Sequence, residues 1–241
     1  LKRKSNFDTG PDLQDFQVSA NGKFCVWCFE GNIKNRPDID GTWKHIAVFK
    51  KELSLGDWEL LKVHHINDVH HMNIDDFDLE VIDEVSISDN GDVIAYRLDK
   101  GESLIYDYHC IYKDRDVLLK TVRQPGMRHQ IQMSADGRRF VLVTWAPKPQ
   151  IVVLDLVENE SGATFRESIL SDAYDDSSLS VAAISDDGSR FLCVQKEIIM
   201  VYDYVEQEHA WRKRRCTAGV PLDASKITMS GDGEILAFSL D

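Results

Sequence analysis

The sequence predicts an all-β fold assembled from repeated four-stranded antiparallel units. Three observations predict it. A signature of Ser, a short polar step and Gly recurs five times along the chain. Each copy is flanked by runs rich in Val, Ile, Phe and other strand formers. Most copies are followed by a third apolar run and then a fourth, more polar one.

The five segments are FQVSANGKFCVWCF (16–29), VSISDNGDVIAYRL (85–98), IQMSADGRRFVLVTW (131–145), AAISDDGSRFLCVQ (182–195) and ITMSGDGEILAFSL (227–240). In each, Asn-Gly or Asp-Gly precedes the second run, and these pairs tolerate the positive φ that tight hairpin turns require. The segments therefore read as β-hairpins. Gly22, Gly91, Gly137, Gly188 and Gly233 are spaced by 69, 46, 51 and 45 residues. Three of the four spacings fit a repeat of about 45 residues, and the first interval carries an insertion.

The third runs are HIAVFK (45–50), SLIYDY (103–108), QIVVLDL (150–156) and IIMVYDY (198–204). The fourth are WELLKV (58–63), VLLKTV (117–122), TFRESIL (164–170) and AWRKRR (210–215). Four strands per unit, the last polar, describe the blade of a β-propeller whose outer strand faces solvent. The expected blades span 13–65, 82–123, 128–171, 179–216 and 224–241, the last with only its first two strands, and the insertions span 30–43 and 65–82.

The Ser-x-Asp-Gly turn, followed by a third strand ending in an apolar residue and Asp, resembles the WD40 repeat. The residues that carry the likeness are Tyr106-Asp107, Leu154-Asp155 and Tyr202-Asp203, which lie 19, 21 and 18 residues after Ser88, Ser134 and Ser185. Tyr or Leu stands where the family has Trp. The Gly-His pair that opens a WD40 repeat is not recognisable, and the first unit lacks the Asp ending. The resemblance covers nearly the whole chain. It implies a propeller that ordinarily closes with seven blades, so about four and a half blades read as part of a larger propeller, completed by further sequence or by another chain.

Composition excludes several classes. Hydrophobic residues make up 43% and charged residues 29%, which suits a folded domain and not a disordered one. No run of 18 apolar residues and no apolar leader segment is present, so neither a membrane span nor a signal peptide is expected. The 41 acids outweigh 28 Lys and Arg, a net charge of −13 that argues against nucleic acid as a direct ligand. Five irregularly spaced cysteines, Cys25, Cys28, Cys110, Cys193 and Cys216, do not form a disulfide framework and point to an intracellular, cytoplasmic or nuclear, setting. The sequon Asn159-Glu160-Ser161 is short enough to arise by chance.

Four clusters invite a chemical reading. His64, His65, His70 and His71, with Asp68 between them, are candidate zinc ligands. No Cys joins them and the spacing matches no standard finger, so a polar loop that titrates near neutrality is the alternative. Cys25 and Cys28 have CxxC spacing, but on a strand residues three apart face opposite ways, which suits two small buried residues better than a shared metal. The stretch DDFDLEVIDE (75–84) is an acidic insertion that can attract a basic partner but lacks the Gly and Glu of a calcium loop. The run Trp211-Arg212-Lys213-Arg214-Arg215 falls on an outer strand, where alternate side chains diverge, so a solvated edge fits it better than an RNA contact. No nucleophile elbow, Walker loop, zinc-protease or dinucleotide motif is present.

In the family this resembles, loops joining fourth to first and second to third strands gather on one face and engage partners. Loops on a rigid scaffold also carry function on physical grounds. Here they place Arg97, Arg128, His129, Trp145, Lys148 and Lys196 on that face, with Trp43 closing the inserted loop EGNIKNRPDIDGTW. Trp and Arg are the residue types most often found as interface hot spots. The expected function is a non-enzymatic protein-interaction scaffold, one part of a larger intracellular complex, binding protein partners, without a cofactor and without contact to a membrane. The alternatives are the substrate-gating propeller of an enzyme whose catalytic domain is elsewhere, and a nucleic-acid-associated subunit.

Overall fold

The computed structural model describes residues 12–31, 43–52, 57–66, 81–99, 105–113, 115–123, 131–145, 149–159, 162–170, 180–195, 198–216 and 224–240. They form four four-stranded antiparallel sheets and one two-stranded sheet, each in simple sequence order. Blade one holds β1 (Asp12–Val18), β2 (Phe24–Gly31), β3 (Trp43–Lys51) and β4 (Trp58–Ile66). Blade two holds β5 (Val81–Ile87), β6 (Val93–Asp99), β7 (Ile105–Tyr112) and β8 (Arg115–Arg123). Blade three holds β9 (Gln132–Met133), β10 (Arg139–Trp145), β11 (Pro149–Asn159) and β12 (Gly162–Leu170). Blade four holds β13 (Ser180–Ile184), β14 (Arg190–Gln195), β15 (Ile198–Val205) and β16 (Ala210–Cys216), and the fifth sheet holds β17 (Ala224–Met229) and β18 (Leu236–Leu240).

Each first hairpin closes through one turn, built identically five times. At the third blade the Ser134 hydroxyl donates to Asp136 Oδ1 at 2.6 Å and accepts the Arg139 N–H at 3.0 Å. Asp136 Oδ1 also accepts the Arg138 N–H at 2.9 Å, and the Gly137 N–H donates to the Ser134 carbonyl at 2.9 Å. Ser19, Ser88, Ser185 and Ser230 repeat the pattern with Asn21, Asn90, Asp187 and Asp232. The Ser side chains are buried in blades one to four, so their hydroxyls need these partners. Gly137 sits at φ +71°, and a Cβ there would lie 2.6 Å from Val93 Cβ of the preceding blade, so both conformation and space call for Gly.

Successive turns are also tied to each other. The Asp89 N–H donates to the Ala135 carbonyl at 2.7 Å, Ala135 to Asp186 at 2.9 Å, and Asp186 to Gly231 at 2.8 Å. Asn21 joins the line through its side-chain amide, which donates to the Asp89 carbonyl at 2.9 Å. The donors all run the same way, from each blade to the next.

Hydrophobic packing lies between blades. Val26, Cys28, Ile46 and Val48 of blade one meet Val85, Ile87, Ile94 and Tyr96 of blade two. Val93, Ala95 and Tyr108 meet Phe140, Leu142 and Val152 of blade three. Val141, Val143 and Ile151 meet Phe191, Cys193 and Met200 of blade four. A smaller cluster of Ala183, Leu192 and Ile199 packs on Met229 and Leu236. Because both faces of a middle blade are covered, β6 is buried along six consecutive residues and reads as a continuous apolar run. The face of blade one turned away from blade two leaves Phe16 and Val18 exposed.

One sequence expectation needs correction. Tyr106-Asp107 does not end the third strand of blade two; it opens β7, with Asp107 opposite Leu98. The position homologous to Asp155 and Asp203 is Tyr112, which lies opposite Val93 as they lie opposite Arg139 and Arg190. More residues separate β6 from β7 than separate the corresponding strands of blades three and four, so counting from the turn Ser lands five residues short. Trp43 opens β3, opposite Gly31, at the end of the inserted segment.

Candidate functional site

The predicted loop face is only partly visible. Arg128, His129, Lys148, Lys196, His70 and His71 lie outside the described residues. Trp145 closes β10 and Trp43 opens β3, placed by their backbones. Arg97 is the exception, and it departs from expectation. It lies within β6, 3% exposed, and its guanidinium is 3.9 Å from Glu84. Glu84 in turn accepts the Ile131 N–H of blade three at 3.3 Å. The pair therefore links blades and is not an exposed anchor; β6 is buried between two neighbours, and its polar side chain finds a buried partner.

Other singled-out residues separate by strand register. His64 and His65 lie near the end of β4, where their backbones pair with Ile46 and His45. Among the described residues no group of three His, Cys, Asp or Glu could hold a metal ion. Cys25 lies opposite Val18 and Phe49, and Cys28 opposite Asp15 and Ile46, on opposite faces. Cys25, Cys28, Cys110 and Cys193 are free thiols, and burial pushes the Cys110 thiol up to about 12.

The basic run on β16 divides in the same way. Trp211 turns inward onto Phe191 and Tyr204, with centroids 4.7 and 5.2 Å away. Arg212 pairs with Glu208, and Arg214 with Asp203 at 2.8 Å.

These contacts reveal a device that the sequence did not suggest. Arg139 begins β10, next to the turn, where its Nε donates to Asp155 at 2.5 Å and its terminal amine to the Gly188 carbonyl of blade four at 2.7 Å. Its guanidinium lies 4.5 Å from the Tyr204 ring centroid and 5.0 Å from that of Trp211, both in blade four. Arg190 repeats the clamp one blade on, to Asp203 at 2.5 Å and to the Gly233 carbonyl at 2.8 Å. The sequence signal was present as Arg two residues after Asp136-Gly137 and Asp187-Gly188, but its partner is cross-strand and cannot be read from spacing.

At the first junction the homologous residue is Phe24, and the rim is open. A cleft of about 430 Å³ lies between blades one and two. Its apolar lining is Phe24, Val48 and Leu61 from blade one with Ile94 and Ile111 from blade two. Lys62, His64, Lys113 and Asp92 also line it. Leu61 is the bulged residue of β4, skipped between the pairs Val48–Lys62 and Phe49–Leu60, and is half exposed. Gly91 closes one end; a Cβ there would lie 2.6 Å from the Phe24 ring.

A second surface feature is the acidic turn face. Burial and then the neighbouring charges of Asp89, Asp187 and Asp232 raise the Asp186 carboxyl above its ordinary value. Asp89 and Asp187 belong to different blades, so the repeat itself gathers this charge.

No family model matches the sequence, and no curated protein sequence does. Among solved structures the chain is similar to β-propellers. It matches KlAtg21, solved in complex with the coiled-coil of AgAtg16, with a TM-score of 0.52 and 13% identity over 95% of this chain and 78% of that one. A protein from Lactobacillus plantarum gives 0.51 and 15% identity over 95% and 64%. The periplasmic gluconolactonase PpgL of Pseudomonas aeruginosa gives 0.47 and 17% identity over 93% and 62%. The chain thus spans less than two thirds of the length of several structures it matches, and the likeness at these identities is one of fold.

Proposed function

We propose that this chain is a non-enzymatic protein-interaction scaffold of WD40-like type, working inside the cell as a subunit or domain of a larger complex. The observation that carries the proposal is the open first junction. The other described junctions are clamped or capped by the chain's own side chains, while this one keeps a cleft of mixed apolar and polar lining, rimmed by Lys62 and Lys113. A rigid frame with an unfilled recess suits recognition, because a preformed site loses little entropy when a partner seats. The partly or fully buried acids Glu84, Asp155 and Asp203 are engaged in blade-to-blade or strand-to-strand pairing, which fits structural roles better than catalytic ones. A propeller of this fold holds a coiled-coil partner in the KlAtg21 complex, so the architecture supports such a use.

Affinity capture with the tagged chain tests the proposal. Specific proteins should be recovered above the level of an unrelated tagged propeller, with quantitative mass spectrometry as the readout. Recovery no greater than that control overturns it.

A further inference from the structure

We infer that the cleft between blades one and two takes an aromatic side chain from an extended, acidic segment of a partner protein. The inference rests on the scaffold function just proposed and names the site and the chemistry of its ligand.

The repeat supplies an internal comparison. In blade three the hairpin of β11 and β12 continues past the pair Asp155–Arg166 for four more pairs, beginning with Leu156–Phe165. Leu156 is 9% exposed, and Phe165 packs on the cluster that contains Val93, Tyr108 and Phe140, so this hairpin caps the junction behind it. In blade four the hairpin of β15 and β16 continues past Asp203–Arg212 to Tyr204–Trp211, and those rings cover Arg139. The homologous pair in blade two is Tyr112–Arg115, and there the ladder ends. The next residue, Lys113, turns at φ +47° and stands where Leu156 and Tyr204 stand. Asp116 fixes this short form, accepting the Tyr96 hydroxyl at 2.8 Å and lying 3.2 Å from His109 Nδ1.

The cleft is therefore the space that an aromatic-bearing hairpin fills elsewhere in the same molecule. A side chain of that kind is what its walls of Phe24, Val48, Leu61, Ile94 and Ile111 fit. The charged and titratable side chains that line its mouth are Lys62, Lys113, Asp92 and His64. Lys113 also reaches Glu158 at 2.7 Å, an exposed pair that an incoming carboxylate can exchange with at little cost. The mouth thus favours acids beside the aromatic anchor. Strand β4 ends its sheet among the described residues, so an extended segment can run along that edge with Leu60 and Leu61 exposed beside it.

Three fluorescein-labelled synthetic peptides of about ten residues test this by anisotropy against the full chain: acidic with a central Trp, the same with Ala for Trp, and a basic peptide with Trp. The acidic Trp peptide should bind, and about tenfold more weakly when Trp is Ala or when the protein carries Lys62→Glu with Lys113→Glu. Replacing the turn 113–114 of blade two with the blade-four residues 204–211 should abolish binding while the protein melts no lower than wild type. Equal binding of the Ala peptide means charge alone and overturns the inference, as does unchanged binding to the grafted protein. No binding of the acidic Trp peptide, with partners still captured by wild type and graft alike, overturns the cleft and leaves the scaffold standing.

Discussion

The first and third blade junctions share a turn and a pattern of core residues, yet one ends in a cleft and the other in a clamp. Phe24 and Arg139 occupy the same position, each donating its N–H to the hydroxyl of a turn Ser. Phe24 packs against the cluster that holds Val48 and Ile94 and meets the next turn at Gly91. Arg139 reaches a carboxylate, a backbone carbonyl and two aromatic rings. What differs around them is the length of one outer hairpin in the following blade. The inner strands and the turn set the frame, and the outer hairpin decides whether the rim is sealed.

The largest effect should come from cutting the clamp. Arg139→Ala leaves Asp155 half-paired, frees the Gly188 carbonyl and strips the cation from two rings, so a loss of about 3 kcal/mol is expected from denaturant unfolding. Phe24→Ala at the open junction should cost about 2 kcal/mol, since that ring is only partly buried. Equal losses would mean that the rims are energetically alike and that the comparison concerns shape alone.

Glycine substitutions separate conformation from packing. Gly137→Ala meets both a positive φ and the Val93 side chain, and should cost about 2–3 kcal/mol. Gly22→Ala has a similar φ of +69° with no atom within 4 Å, so only the backbone penalty, about 1 kcal/mol, should remain. Thermal melts of the two variants give the difference directly.

Ser88→Ala and Ser134→Ala test whether the turns of the two regions are equivalent. Each removes a buried hydroxyl that both donates and accepts, so each should lose about 1–2 kcal/mol. Urea midpoints that differ strongly between them would show that the frame itself varies along the chain.

The smallest effect concerns the acidic turn face. The Asp186 carboxyl is raised on folding, so its ionised form is the disfavoured one in the native state. Its contribution falls as pH rises from the ordinary Asp value through the raised one, and stays unfavourable above it. Asp186→Asn should therefore raise the melting temperature slightly at neutral pH, by under about 1 kcal/mol given its exposure. The gain should vanish in acid, below the ordinary value of 3.8. A gain that persists in acid would point to Gly231 crowding and not to charge.

Much of the frame was legible in the sequence because turn chemistry is local. Ser134, Asp136 and Gly137 lie within four residues, and their hydrogen bonds follow from that spacing. Strands flanking such turns announce themselves by apolar runs. The rim was not legible, because it depends on how far a hairpin continues after its last recognisable residue. Tyr112 and Asp155 are homologous only in register, and the length of the connection before each hides this. Arg97 looked like an exposed anchor because sequence places it beside a loop; only the neighbouring blade buries it against Glu84. Trp211 sat inside a basic run, and strand alternation alone sent it inward while Arg212 and Arg214 stayed outside.

The one-way line of donors from turn to turn has a further consequence. Asp89, Ala135 and Asp186 each lend an amide to the neighbour ahead and a carbonyl to the neighbour behind. Among the described residues these bonds couple each blade to its nearest neighbours, as in an array of interacting repeats. Local opening then spreads along the array one link at a time, and the amides of these links form a directional chain whose exchange with solvent is governed by the weaker of two adjacent blades.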